Sequence, residues 1–307
     1  MERNNNYQTR INDLGLEIVI FLGVWILCMI LGGVLAQGIL AVSGVENIQT
    51  LFEIGDKKQI GLIRIIQAVS SSCSYILPGI ILSFFLFRKK WKKQLFLDRA
   101  PKFKNIGLSL AIIAASSGFI SFVYYYNTAL IPEAYISKTT LAMEQQLLQM
   151  NNFSELLANV LIFGFIAGIG EELIFRGFLQ RFLTQWTKNI HVGAFLTAIA
   201  FTLMHFQLEG FFPRLILSLF FSYLLIGSGN LWITILIHIV FNSYQVILYY
   251  FAPELIGSVD KVSVVPWSYA LFSLLCTFLL WITFAKVNRT LKYNYLLNNN
   301  NKDEFKS

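Results

Sequence analysis

Residues 14–42 read LGLEIVIFLGVWILCMILGGVLAQGILAV, an apolar run whose single charge is Glu17. A helix needs about 20 apolar residues to cross the hydrocarbon layer of a bilayer, and this run exceeds that length. It is also longer than the ~7–15 residues of a signal-peptide core, so it reads as a retained membrane anchor. Moving outward, comparable blocks place helices at roughly 61–87, 106–131, 154–183, 192–208, 212–228, 231–252 and 267–287. The fourth is long for a simple span and the fifth short. Ser228-Gly229-Asn230 is a tight turn that makes helices six and seven antiparallel neighbours.

Composition agrees with this pattern. Of 307 residues 56% are hydrophobic and 13% charged, with mean hydropathy +0.61, whereas soluble domains carry about 25% charged residues. A soluble domain of this size needs more polar surface to cover its core. No alternating strands of ~10 residues occur, which excludes a β-barrel. The fold class expected is an all-α polytopic membrane protein of about eight transmembrane helices. It forms one transmembrane domain (1–297, with a polar core at about 154–252) and a disordered cytoplasmic tail (298–307) that includes four consecutive Asn. Cys28, Cys73 and Cys276 each lie inside an apolar block; they imply neither a disulfide framework nor a cysteine metal site.

Basic residues orient the chain. With eight passes and both termini cytoplasmic, one side receives Arg3, Arg10, the run from Arg88 to Lys104, Arg176, Arg181, Lys188 and the C-terminal group from Lys286 to Lys306. The other receives Lys57, Lys58, Arg64, Lys138, Arg214 and Lys261. The split is 18 to 6, which satisfies the positive-inside rule; the expected location is the plasma membrane. The net charge of +7 is therefore spent on topology and on anionic lipid headgroups at the cytoplasmic face, and nucleic acid is not an expected partner. The loops 43–60 and 132–153 are long enough for interfacial helices, and residues 141–148 read as amphipathic. Tyr124, Tyr125 and Tyr126 read as an aromatic belt, His191 as a surface residue and Glu209 as a solvated group near the outer interface.

A charge at the bilayer centre costs about 2.5–3.5 kcal/mol on insertion scales, so such residues face the protein interior and mark function. Here they gather in three helices. Helix four carries Glu171-Glu172 and Arg176, helix five Phe201 and His205, helix seven His238 and Asn242. Glu172 and Arg176 are four apart with the acid first, the favourable order for a pair on one helix face. Glu171 points about 100° away from Glu172, so one carboxylate pairs with the arginine while its neighbour projects elsewhere. Phe201 lies one turn from His205, and His238 one turn from Asn242. If helices four, five and seven converge, Glu171, His205, His238 and Asn242 line one polar cavity. A carboxylate or imidazole there can take a proton from a water attacking a carbonyl, and an imidazole and an amide can donate to the oxyanion that develops.

The set Glu171-Glu172-x-x-x-Arg176, Phe201-x-x-x-His205 and His238-x-x-x-Asn242 resembles the CPBP family of intramembrane proteases. That family includes the type II CAAX prenyl endopeptidases and bacterial Abi relatives. All three motifs occur in family order on helices four, five and seven. The resemblance implies an intramembrane endopeptidase, of glutamate type or metal-dependent, cutting a membrane-associated peptide or lipidated protein. By the same implication Glu171 and His205 activate water, His238 and Asn242 stabilise the oxyanion, and Glu172 with Arg176 shapes the site. No H-E-x-x-H zinc signature is present. Glu171, His205 and His238 are nonetheless three candidate ligands should zinc be bound; no cofactor is the favoured reading.

The same residues admit other readings. A buried ion pair and interhelical hydrogen bonds serve packing alone in many membrane proteins. A non-enzymatic protein that binds a peptide in this cavity, as an immunity factor or scaffold, shares every feature except the need for Glu171 as base. A proton-coupled transporter is disfavoured, because the chain lacks internal repeats and Gly/Pro-broken helix pairs.

Overall fold

The computed structural model describes residues 2–45, 57–132, 145–253 and 264–288. Among these, eight helices occur in order: α1 (Glu2–Val42), α2 (57–87), α3 (Phe103–Leu130), α4 (Phe153–Thr187), α5 (Ile190–Leu203), α6 (Phe211–Ser228), α7 (Leu231–Phe251) and α8 (Trp267–Val287), with no strand. Seven are long and apolar enough to cross a membrane; α5, at 14 residues, is not. The outward faces are hydrocarbon-like. Leu271, Phe272, Leu275, Phe278 and Leu279 of α8 and Leu27, Ile30, Leu31 and Val34 of α1 are all exposed, a surface that only lipid covers without penalty. The chain is an integral, multi-pass, all-α membrane protein.

The fifth helix corrects the expectation of eight full spans, and the reason is local. At its end His205 N bonds to Thr202 O (3.3 Å) and Phe206 N to Leu203 O (3.1 Å), tightening the last turn. Phe206 then turns left-handed at φ 52°, so the helix expected over 192–208 stops at Leu203 and leaves His205 in the adjoining turn. Fourteen residues rise about 21 Å against about 30 Å of hydrocarbon, and the non-helical stretch 204–210 completes the pass. Backbone of that kind must be satisfied inside the protein. Asn127 of α3 does this: its Nδ2 donates to the Leu208 and Glu209 carbonyls (2.8 and 2.7 Å), and Phe212 N donates to its Oδ1 (3.2 Å). Glu209, expected to be solvated, is 4% exposed within this clamp.

The remaining contacts arrange the helices antiparallel. Arg181 near the end of α4 donates to Gln94 O after α2, Asn230 between α6 and α7 donates to Arg99 O, and Leu231 N donates to Phe96 O. Asn105 at the start of α3 meets Asn288 after α8 at 3.0 Å, and Phe21 of α1 packs on Phe178 and Phe182. The two described ends of the chain therefore reach the same end of the bundle, beside the basic segment 88–104. Asn152, Asn189 and Asn230 cap α4, α5 and α7 through their side chains, and Gly229 supplies the left-handed residue between α6 and α7 at φ 59°.

Helix α4 sits at the centre and is not uniformly α-helical. Two wider π-helical turns, Val160–Ile166 and Leu173–Leu179, flank the short α-helical segment Ala167–Glu172; a third, Ser72–Ile76, interrupts α2. Such turns occur often at functional sites. Gly164 and Gly168 let α7 come against α4. A Cβ on Gly168 would meet Ile239 Cγ1 at 2.9 Å and its backbone N at 3.1 Å, and one on Gly164 would meet the Ser243 hydroxyl. This is the small-x-x-x-small packing of membrane helices. Arg64, assigned to the outer side, is 7% exposed. It binds Asn159 Oδ1 (3.0 Å), Gln149 O (2.6 Å) and Glu155 (3.3 Å), fixing α2 to the start of α4. Residues 145–148 form one helical turn, with Leu147 packed among Leu40, Ile63 and Ile66. The rest of the amphipathic reading at 141–148, most of the loop 43–60, Lys138, Lys261 and the tail 298–307 lie outside the described residues.

Candidate active site

The polar residues of the three motifs lie where α4, α5, α6 and α7 meet. Glu172 is fully buried, and its Oε1 accepts two hydrogen bonds at 2.8 Å, one from Arg176 Nη1 and one from His238 Nδ1. A carboxylate only accepts, so Nδ1 carries the proton of this contact and Nε2 is turned into the site. There it faces Glu171 Oε2 at 3.7 Å. The adjacent acids of α4 thus do different things: Glu172 grips both its arginine and the α7 imidazole, while Glu171 addresses the other face of that imidazole.

Arg176 is fully buried and acts as a strut through its two terminal nitrogens. Its Nη2 donates to Ser218 O (3.1 Å) and Ser218 Oγ (2.9 Å) on α6. The guanidinium carbon lies 4.7 Å from the Phe201 ring centre and 5.3 Å from that of Phe221, close enough for cation–π attraction. One turn on, Gln180 Nε2 reaches Ser222 O at 3.3 Å. Phe221 also stacks on His238 with centroids 4.9 Å apart and planes 18° apart. Helix α6 is therefore part of the site, which the expectation of three converging helices omitted. The available signal was Ser218 and Ser222, two hydroxyls four residues apart in the apolar middle of that helix.

His205 enters from the turn after α5. Its Nδ1 donates to Phe201 O at 2.9 Å, which leaves Nε2 as an acceptor. Its ring lies 4.9 Å from Phe201, and His238 lies 6.2 Å from the same ring, so both imidazoles flank one phenyl group. Asn242 is half-buried a turn beyond His238 on α7, and its Nδ2 donates to Phe163 O in the first π-helical turn of α4 at 3.0 Å. The structure thus joins Glu171, Glu172, Arg176 and His238 by direct contacts, places His205 beside them across Phe201, and ties Asn242 to the neighbouring backbone. His191 is exposed and bonds Tyr223 at 2.9 Å.

The expected zinc set Glu171, His205 and His238 is not drawn together as a three-ligand cluster: among the described residues no three His, Cys, Asp or Glu side chains are grouped to hold a metal ion.

Ionisable groups packed against one another inside apolar helices define a membrane protein with an intramembrane polar site. The family model described as Type II CAAX prenyl endopeptidase Rce1-like matches residues 153–244, from the start of α4 into α7. This bears out the resemblance drawn from the three motifs, and it implies a protease acting on a membrane-associated peptide or protein. No curated protein and no solved structure matches the chain.

Proposed function

We propose that the chain is an intramembrane endopeptidase in which Glu171 and His205 activate a water for attack on a peptide carbonyl. The observation that carries this reading is the facing pair of Glu171 and His238 Nε2 at 3.7 Å, with His238 held from behind by Glu172. A water between the Glu171 carboxylate and His205 Nε2 gives up a proton as its oxygen bonds to the carbonyl carbon. The resulting oxyanion receives hydrogen bonds from protonated His238 Nε2 and from the second N–H of Asn242. The C–N bond then breaks, and the proton held by Glu171 passes to the leaving amine. Glu172 supports the imidazolium charge, while Arg176 offsets the charge of Glu172. No step passes through a metal.

The proposed substrate is a membrane-associated peptide or lipidated protein. The exposed Arg88, Lys89, Lys90 and Lys92, with Trp91 and the exposed Phe103 beside them, support contact with anionic headgroups at the cytoplasmic face. By the positive-inside rule both termini lie on that side of the plasma membrane, and 1–297 act as one domain.

The test uses purified protein in lipid nanodiscs and a pool of synthetic peptides with and without a C-terminal S-prenyl cysteine segment. Mass spectrometry reads the products. Wild type should cleave members of the pool, whereas Glu171→Gln and His205→Ala should lose cleavage while keeping the melting midpoint. Cleavage retained by Glu171→Gln ends this reading. Peptide bound equally by wild type and Glu171→Gln without cleavage would favour a binding protein instead.

A further inference from the structure

The proposed water attack leaves unused a phenol packed against Gly170 and Phe175, which flank Glu171 on α4. Tyr75 belongs to the π-helical turn of α2 (Ser72–Ile76), which Trp25 of α1 steadies by donating from Nε1 to Ser74 O at 2.8 Å. The backbone of α4 comes against this turn at Gly170, where an added Cβ would meet Tyr75 Cβ at 2.6 Å and Ile76 N at 3.2 Å. Gly170 precedes Glu171, and Phe175 lies one turn after Glu171. The Tyr75 ring packs on Phe175 with centroids 6.3 Å apart, so it spans the stretch of α4 that carries the carboxylate.

The two sides of Glu171 are distinct. At about 100° per residue, Gly168 and Gly170 point about 200° apart. Gly168 faces α7, which supplies His238, and Gly170 faces α2, which supplies Tyr75. Glu171 lies between these flanks. Tyr75 is half-buried, and its hydroxyl makes no hydrogen bond among the described residues. A hydroxyl that no protein group pairs is available to a bound group. Of the donors already described, Arg176 Nη1 and Nη2 are committed to Glu172 and Ser218, and one nitrogen of each histidine to Glu172 or Phe201 O.

We propose that the Tyr75 hydroxyl is a further hydrogen-bond donor of the site, taking an oxygen of the peptide bound at Glu171 from the flank opposite His238. This rests on the protease reading and deepens it: α2, outside the three motif helices and outside the segment matched to the family, supplies a catalytic residue. Its contribution is to the carbonyl oxygen as charge develops, where a preorganised donor acts most strongly.

Tyr75→Phe removes the hydroxyl and keeps the ring on Phe175. Because the hydroxyl bonds no protein group among the described residues, the melting midpoint should stay at the wild-type value. With peptides from the same nanodisc pool, kcat should fall by about tenfold to a hundredfold while KM stays within about twofold. A merely structural role predicts the reverse, a lower midpoint with kcat preserved in the folded fraction. Wild-type kcat in Tyr75→Phe, with cleavage lost in Glu171→Gln, overturns this inference and leaves the protease reading standing. Cleavage unaffected by either substitution, or absent in wild type, overturns both.

Discussion

Arg176 is the largest side chain with no exposure to solvent, and every contact it makes bears on the site. Removing one partner of a buried ion pair leaves an uncompensated charge, at a cost of about 3–5 kcal/mol. Arg176→Met should therefore lower stability by about that much and free His238 from its anchored rotamer. Thermal unfolding in detergent reads the first effect, and complete loss of peptide cleavage the second. The donor arrangement likewise predicts that cleavage survives 1,10-phenanthroline and EDTA, and that purified active protein carries no stoichiometric zinc by elemental analysis. At this scale the sequence was informative where chemistry repeats at helical spacing. The acid-first interval from Glu172 to Arg176 and the one-turn interval from Phe201 to His205 carry their geometry with them. Phe221 carries no such mark, because a lone aromatic in an apolar helix looks the same facing lipid or facing an imidazole. Glu209 was misread for a related reason: its burial depends on Asn127, more than eighty residues away.

At the scale of elements, α4 shows why periodicity falls short. A π-helical turn holds one extra residue, so each of the two in α4 rotates the residues C-terminal to it relative to an ideal 3.6-residue helix. A face assigned from residues 154–160 is therefore out of phase by Gln180. The Glu171-Glu172 pair stayed legible because it lies in the short α-helical stretch between them. The close approach of α7 to α4 rests on Gly164 and Gly168, and crowding that contact should uncouple Glu172 from His238. Gly168→Val should cost about 1–3 kcal/mol, as overpacking usually does, and should abolish cleavage. The same change at Gly107, where an added Cβ meets nothing within 4 Å, should be nearly silent in both unfolding and activity. The opposite failure occurred in α5. Hydropathy continues past Leu203, but the left-handed Phe206 ends the helix, and nothing in the apolar pattern announces that turn.

Across the whole molecule, the order and approximate ends of the apolar helices, of which only α5 falls short of a full span, were legible from block length, since that length is set by the bilayer rather than by packing detail. Which helices touch was not, because apolar faces in lipid carry no inside-outside contrast to read. The shared position of the chain ends predicts that epitope tags at the N- and C-termini are protected together in intact cells and exposed together on inverted vesicles. Opposite accessibility would contradict the placement of both described ends at one end of the bundle. Asn127 holds one of those passes together across a non-helical gap, and Asn127→Leu should strand the Leu208 and Glu209 carbonyls at about 1–3 kcal/mol for each unsatisfied group, read as a lowered melting midpoint.

The turn after α5 also has a chemical side. His205 Nδ1 takes the Phe201 carbonyl that a continuing α-helix would give to the His205 amide. Under the protease reading, the ring that meets the attacking water also stops the coil that carries it.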